Sequence, residues 1–211
     1  MRLVFRRRLH LIAACIAIVT AVHAAEQFLS GALLLEALHH GGYVLVIRHA
    51  NSPFATPDKS AAEPDNVKIE RQLDETGRNT AQAMGKSIQR LHVPIGEIFS
   101  SPTYRALETL RLASLGKPQI VSELDEPAQG MQASTDVTQS AWLRHKVTER
   151  PRRGTNSLIV THTPNIMSAF GQSAAGIAAG EALVFRPDGQ GNSALVARIR
   201  IEEWPRLEAP K

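Results

Sequence analysis

Apolar residues fall along this chain in two rhythms. Short, largely apolar runs, Tyr43-Val44-Leu45-Val46-Ile47, Ile95–Phe99 and Ser157-Leu158-Ile159-Val160-Thr161, read as strands, the first of them apolar on both faces as in a buried parallel sheet. Between them apolar residues recur every three or four positions. Ala81, Met84, Ile88 and Leu91 do so within 73–91, which predicts a helix there. A first helix is expected from Ser30, a suitable N-cap, to Gly41, a suitable C′ residue, with Leu33, Leu34, Ala37 and Leu38 on one face. Ser101-Pro102 and Thr163-Pro164 each look like a cap followed by proline at the first helical position. A short strand over 119–122, a helix over 134–149, and a hairpin of 181–185 with 194–201 around Asp188-Gly189-Gln190-Gly191 complete the pattern. The polar stretch Asn51–Gln72 holds Pro53, Pro57 and Pro64 and no periodicity, so it predicts a long loop. Strand and helix alternate through most of the chain. The expected fold is therefore an α/β layer sandwich with a largely parallel central sheet.

The 211 residues suit one well-buried domain. The formal charge of +4 is misleading. Arg2, Arg6, Arg7 and Arg8 sit in an acid-free N-terminal segment, and without them the chain carries 20 basic and 20 acidic residues. The rest of the chain thus gives no bulk electrostatic argument for nucleic acid. Arg6-Arg7-Arg8, the apolar run Leu9–Val22 and the small-residue site Val22-His23-Ala24 read as a signal peptide over 1–24, ahead of a single domain over 25–211. The apolar stretch is short for a bilayer span of about 20 residues. A periplasmic or secreted protein without stable membrane insertion is expected. Ile12-Ala13-Ala14-Cys15 leaves lipidation of Cys15 as an alternative to its removal. Cleavage after Ala24 removes the only cysteine, and with it any disulfide or thiol nucleophile.

The chemistry gathers at strand ends. Arg48-His49 closes the first apolar run and His162 follows the run over 157–161. In an open α/β sheet the carboxyl edge is where ligands bind. A neutral imidazole is a competent nucleophile toward phosphorus, and an adjacent arginine can clamp phosphate with two donors. Arg105 falls in the first turn of its helix, where a cation is disfavoured by the helix dipole unless an anion binds there or Glu108 pairs with it. His162 precedes a helix start whose free N–H groups favour a phosphate oxygen. A zinc reading of His49 with His162 lacks an i,i+4 histidine pair and a carboxylate at ligand spacing. His39-His40 suits the negative end of a helix and reads as structural.

Arg48-His49, Ser101-Pro102-x-x-Arg105-Ala106-x-Glu108-Thr109 and His162 resemble the histidine phosphatase (phosphoglycerate mutase-like) superfamily over roughly residues 40–200. That resemblance implies the family's three-layer α/β/α sandwich with a largely parallel central sheet, His49 as the phosphorylated nucleophile, Arg48, Arg105 and His162 as the phosphate pocket, and no metal or other cofactor. Leu124-Asp125-Glu126-x-x-x-Gly130 matches the stretch that carries the general acid in the mutase-like branch and implies Glu126, with Glu123 and Asp125 as rivals. Thr163 stands where the acid-phosphatase branch has Asp, which argues against that branch. Ala50 and Thr161 replace the family's usual glycines after the first His and before the second. The run 180–189 resembles exported bacterial members, some of which act on phosphorylated sugars of lipopolysaccharide; Glu181 within it reads as structural. The resemblance thus implies an exported phosphomonoesterase acting on a small phosphorylated substrate. A non-catalytic phosphate-binding envelope module and a phosphomutase are the alternatives. Specificity is expected in the loop 51–72 and in 124–138; within the loop Asp58, Lys59, Asp65 and Lys68 are candidates for substrate contact but read better as residues that solvate the loop.

Overall fold

The computed structural model describes residues 28–126 and 133–207. The expected leader, Cys15 and Gly130 lie outside the described residues. The order is α1 (Gly31–His40), β1 (Val44–Arg48), α2 (Glu75–Arg90), β2 (Ile95–Ser100), α3 (Tyr104–Ala113), β3 (Gln119–Ile120), α4 (Ala133–Lys146), β4 (Asn156–Thr161), α5 (Thr163–Phe170), β5 (Ala182–Pro187) and β6 (Ser193–Ile199). Short 3₁₀ turns lie at Ser122–Leu124, Gly171–Ala174 and Ile201–Arg206.

The six strands form one sheet in the order β3-β2-β4-β1-β5-β6. The first four run parallel, and β5 and β6 close it as an antiparallel hairpin. Strand alternation sends successive side chains to opposite faces, and both faces are covered. Leu45 and Ile47 of β1 with Leu158 and Val160 of β4 pack under α1, α2 and α3; Val44, Val46 and Ile159 pack under α4 and α5. This is the predicted three-layer sandwich. Each buried Leu, Ile or Val contributes on the order of 1.5–3 kcal/mol by leaving water. Buried Asn156 fastens the far end of the sheet: its Nδ2 donates to Leu38 O (2.8 Å) and Pro94 O (3.1 Å), and its Oδ1 accepts from Tyr43 N. No helix among the described residues is long and apolar enough to cross a membrane.

Two helix starts differ from expectation. Helix α3 begins at Tyr104 with Thr103 as N-cap, so Ser101 is not its cap and Pro102 is not its first residue. Helix α5 takes His162 as N-cap, and Pro164 lies at its second position. Strand β6 ends at Ile199, two residues short of the expected Ile201, and a 3₁₀ turn over Ile201–Arg206 follows that carries buried Trp204. The stretch 51–72 has neither helix nor strand, as its prolines predict.

Candidate active site

The register of the parallel strands brings the motifs together. Arg48 pairs with Thr161 and Ser100 with Val160, so the residues that follow, His49, Ser101 and His162, emerge side by side at the carboxyl edge. Backbone hydrogen bonds extend the ladder past the strands: His49 N donates to Thr161 O (3.0 Å) and Ser101 N to Val160 O (3.0 Å).

His49 is buried and its protonation pattern is fixed by geometry. Its Nδ1 lies 2.7 Å from Ala50 O, which can only accept, so Nδ1 carries the proton. That leaves the Nε2 lone pair open, and Arg105 Nε donates to it at 3.3 Å. Burial drives the His49 pKa down to about 3. The Ala50 carbonyl opposes the drop, and the charges of Arg105, Arg48 and Arg71 add to it. The imidazole is therefore neutral throughout the physiological range. Ala50 does not take positive φ, so the missing glycine costs the backbone nothing here. Its N–H donates to Thr109 Oγ1 (3.0 Å), and Thr109 Oγ1 donates to Arg105 O (2.8 Å), which ties the nucleophile segment to α3.

His162 meets His49 edge-on, with ring centroids 5.2 Å apart. Arg105 Nη2 donates to its Nδ1 at 3.1 Å, so its proton sits on Nε2 and goes to Ser101 Oγ at 2.8 Å. Ser101 Oγ also accepts from Thr103 N and donates to Thr103 Oγ1, both at 3.2 Å. This explains the shifted start of α3: the Ser101 hydroxyl serves the histidine rather than the helix. The His162 pKa is lowered to about 2, first by burial and then by Arg105 and His49.

Arg105, 4% exposed, is the hub. Besides both histidines it binds Glu126 Oε2 through Nη2 at 2.5 Å. Glu108 pairs instead with Arg111 (2.5 Å), so Arg105 is free of the helical ion pair that would make it structural. Arg48 is held by Ile177 O (3.1 Å), and its Nε is buried without a partner. Of the three candidate acids, Glu126 alone reaches the arginines. Glu123 accepts from Ser122 Oγ, and Asp125 accepts from Glu126 N. Glu181 is structural, as expected: it accepts from Ala178 N (2.7 Å) and Arg198 Nε (2.6 Å).

One site residue escapes the sequence reading. Arg71, near the end of the long loop, points Nη2 at both Glu126 oxygens, at 3.3 and 3.4 Å. Its guanidinium lies 5.2 Å from the Phe54 ring. The expected loop candidates do other things: Asp58 accepts from Ser60 N and Ala61 N in its own turn, and Asp65 accepts from Tyr104 Oη (2.7 Å). Glu70 accepts from Tyr104 N (2.8 Å) at the start of α3, and so docks the loop beside the site. No period or motif marks Arg71; its only sequence signal is a cation within an otherwise polar loop. Among the described residues no group of three or more His, Cys, Asp or Glu is placed to hold a metal ion.

The arrangement places an open imidazole nitrogen, a second neutral imidazole and three guanidiniums around one carboxylate, which suits attack on a bound anion. A model of the histidine phosphatase superfamily (branch 1) matches residues 44–157. Among solved structures the chain is similar to the protein histidine phosphatase SixA complexed with tungstate (18% identity, TM-score 0.52, covering 76% of this chain and 98% of that one). It is also similar to phosphoserine phosphatase from Entamoeba histolytica in complex with 3-phosphoglyceric acid (13%, TM-score 0.54, 75% and 96%). A third is YhfR from Bacillus stearothermophilus (18%, TM-score 0.53, 74% and 95%). At these identities the similarity is one of fold. No curated protein sequence matches the chain.

Proposed function

The chain belongs to the histidine phosphatase superfamily, and from that premise we propose that it is an exported, metal-independent phosphomonoesterase working through a phosphohistidine on His49. The observation that carries the reading is the His49 tautomer. Nδ1–H is pinned to the Ala50 carbonyl and Nε2 is left unprotonated, its lone pair accepting from Arg105 Nε until a bound phosphate takes over that donor. The Nε2 lone pair attacks phosphorus, the P–O bond to the alcohol breaks, and Glu126, in its protonated form, delivers its proton to the departing oxygen. Water then attacks the phosphorus of the phosphohistidine, giving its proton to the Glu126 carboxylate. The P–N bond breaks, and inorganic phosphate leaves.

Arg48 and Arg105 hold the equatorial oxygens, where the charge of a loose phosphoryl-transfer transition state resides. A bound dianion also favours protonation of His162 at Nδ1. The imidazolium, held at Nε2 by Ser101, then donates to a phosphoryl oxygen. Export rests on the arginine-led apolar segment over 1–24.

The test is phosphate release from an aryl phosphate and from a panel of phosphosugars by the protein from Ala25 onward, with EDTA present, beside His49→Ala. Turnover that survives EDTA and disappears in the variant is the expected result. Inactivity across the panel and across pH would sink the catalytic reading and leave a phosphate-binding module. Transfer between hydroxyls of one substrate without net phosphate release would make it a mutase.

A further inference from the structure

Arg48, Arg71 and Arg105 bring three positive charges to a site whose two histidines are neutral and whose one contacting carboxylate is Glu126. Uncompensated charge of this kind, taken partly out of water, is costly unless an anion completes it. Arg71 is 15% exposed in its side chain and Glu126 35%. Arg71 meets that carboxylate and the face of Phe54, itself 91% exposed. Nothing in the fold requires a guanidinium there: Arg71 bonds to no backbone carbonyl among its recorded contacts and anchors no helix end, tasks that Glu70 and Asp74 perform for their neighbours.

We infer that Arg71 is a substrate-binding cation delivered by the loop, and that Glu126 holds the donors that a substrate phosphate takes over. An incoming phosphomonoester dianion takes over the donors of Arg71 and Arg105 from Glu126. Freed of the guanidiniums, the Glu126 carboxylate takes up a proton from solvent and turns toward the leaving oxygen, to which it delivers that proton. Before substrate binds, with both histidines neutral, three guanidiniums and one carboxylate leave two positive charges, which attract a dianion more strongly than a monoanionic diester. The site thus selects fully ionised monoesters by charge as well as by shape. This rests on the phosphate-transfer reading above, but its test needs no turnover.

The experiment is calorimetric titration of inorganic phosphate into the protein from Ala25 onward and into R71Q, R71K and E126Q, at low ionic strength. Loss of a charge-assisted contact predicts phosphate binding weakened about 10- to 100-fold in R71Q. R71K keeps the charge but loses the two-donor fork, and is expected to fall between R71Q and wild type. E126Q removes the competing carboxylate and is expected to bind phosphate several-fold more tightly. Wild-type affinity in a folded R71Q, or weaker binding in E126Q, overturns the inference. Should R71Q fail to fold, R71K and E126Q still decide it by the direction of their shifts. Phosphate binding that depends on Arg71 in a protein without turnover would refute the catalytic reading and leave this one standing.

Discussion

Thr161 shows how one side chain can fix a site from behind. It stands where the family's usual residue is glycine, and its buried Oγ1 donates to Leu124 O at 2.8 Å. That bond pins the turn that carries Asp125 and Glu126 against the end of β4, while Asn165 Nδ2 holds Asp125 O at 2.9 Å from the other side. Thr161→Val keeps the volume and removes the hydroxyl, so it loosens the acid without emptying the pocket. We expect kcat/KM, which reports transfer of phosphate to His49, to fall by about tenfold for alkyl phosphates, the equivalent of one hydrogen bond, and to change little for aryl phosphates, whose leaving group needs no proton. A steady-state series of leaving groups checks this, and equal losses across the series would put Thr161 outside the acid's support. Residues of this kind divide sharply in legibility. Arg48, His49, Arg105 and His162 are readable because each sits at a fixed offset from a strand end or a helix start. Arg71 is not, because its partner Glu126 lies 55 positions away and only the docked loop brings them together.

At the scale of elements, α2 and α3 lie as close as they do because α2 has a glycine at the contact. A Cβ on Gly85 would come within 1.9 Å of Ala113 O, a backbone atom that cannot step aside. Gly85→Ala should therefore cost stability despite alanine's better helix propensity, by about 1–3 kcal/mol as overpacking does. The check is the urea midpoint; a stabilised variant would mean that the helices separate freely. The spacing of apolar residues made α2 and the central strands legible, since burial on one or both faces is written as period. Helix starts were less so. The Ser-Pro pair at 101–102 carries a cap signature, yet Ser101 bonds to His162 and the cap passes to Thr103. Capping and catalysis use the same hydroxyl chemistry, and the sequence does not say which claim wins. The 3₁₀ turn after β6 was hidden for a different reason: Ile201 and Trp204 are buried as a strand's residues would be, but against α2.

Over the whole molecule, burying two neutral histidines beside three arginines ties folding to pH. In the folded protein the pKa values of His49 and His162 lie near 3 and 2, against 6.5 for a free imidazole. Between pH 6.5 and 3 the unfolded chain therefore binds protons that the folded chain refuses. Stability depends on the excess of protons bound by the unfolded state, so this contribution is complete above pH 6.5 and is lost as the pH falls toward 3. From pH 7 to 5 the loss is on the order of 2 kcal/mol per histidine. His162→Asn should lower stability at pH 7 but remove about half of the dependence on pH between 7 and 5. Urea midpoints of wild type and variant at three or four pH values measure both. Parallel curves would mean that His162 gains its proton in the folded state as readily as in the unfolded chain. Saturating phosphate should flatten the wild-type curve as well, because a bound dianion lets the folded site take up the proton that the empty one refuses.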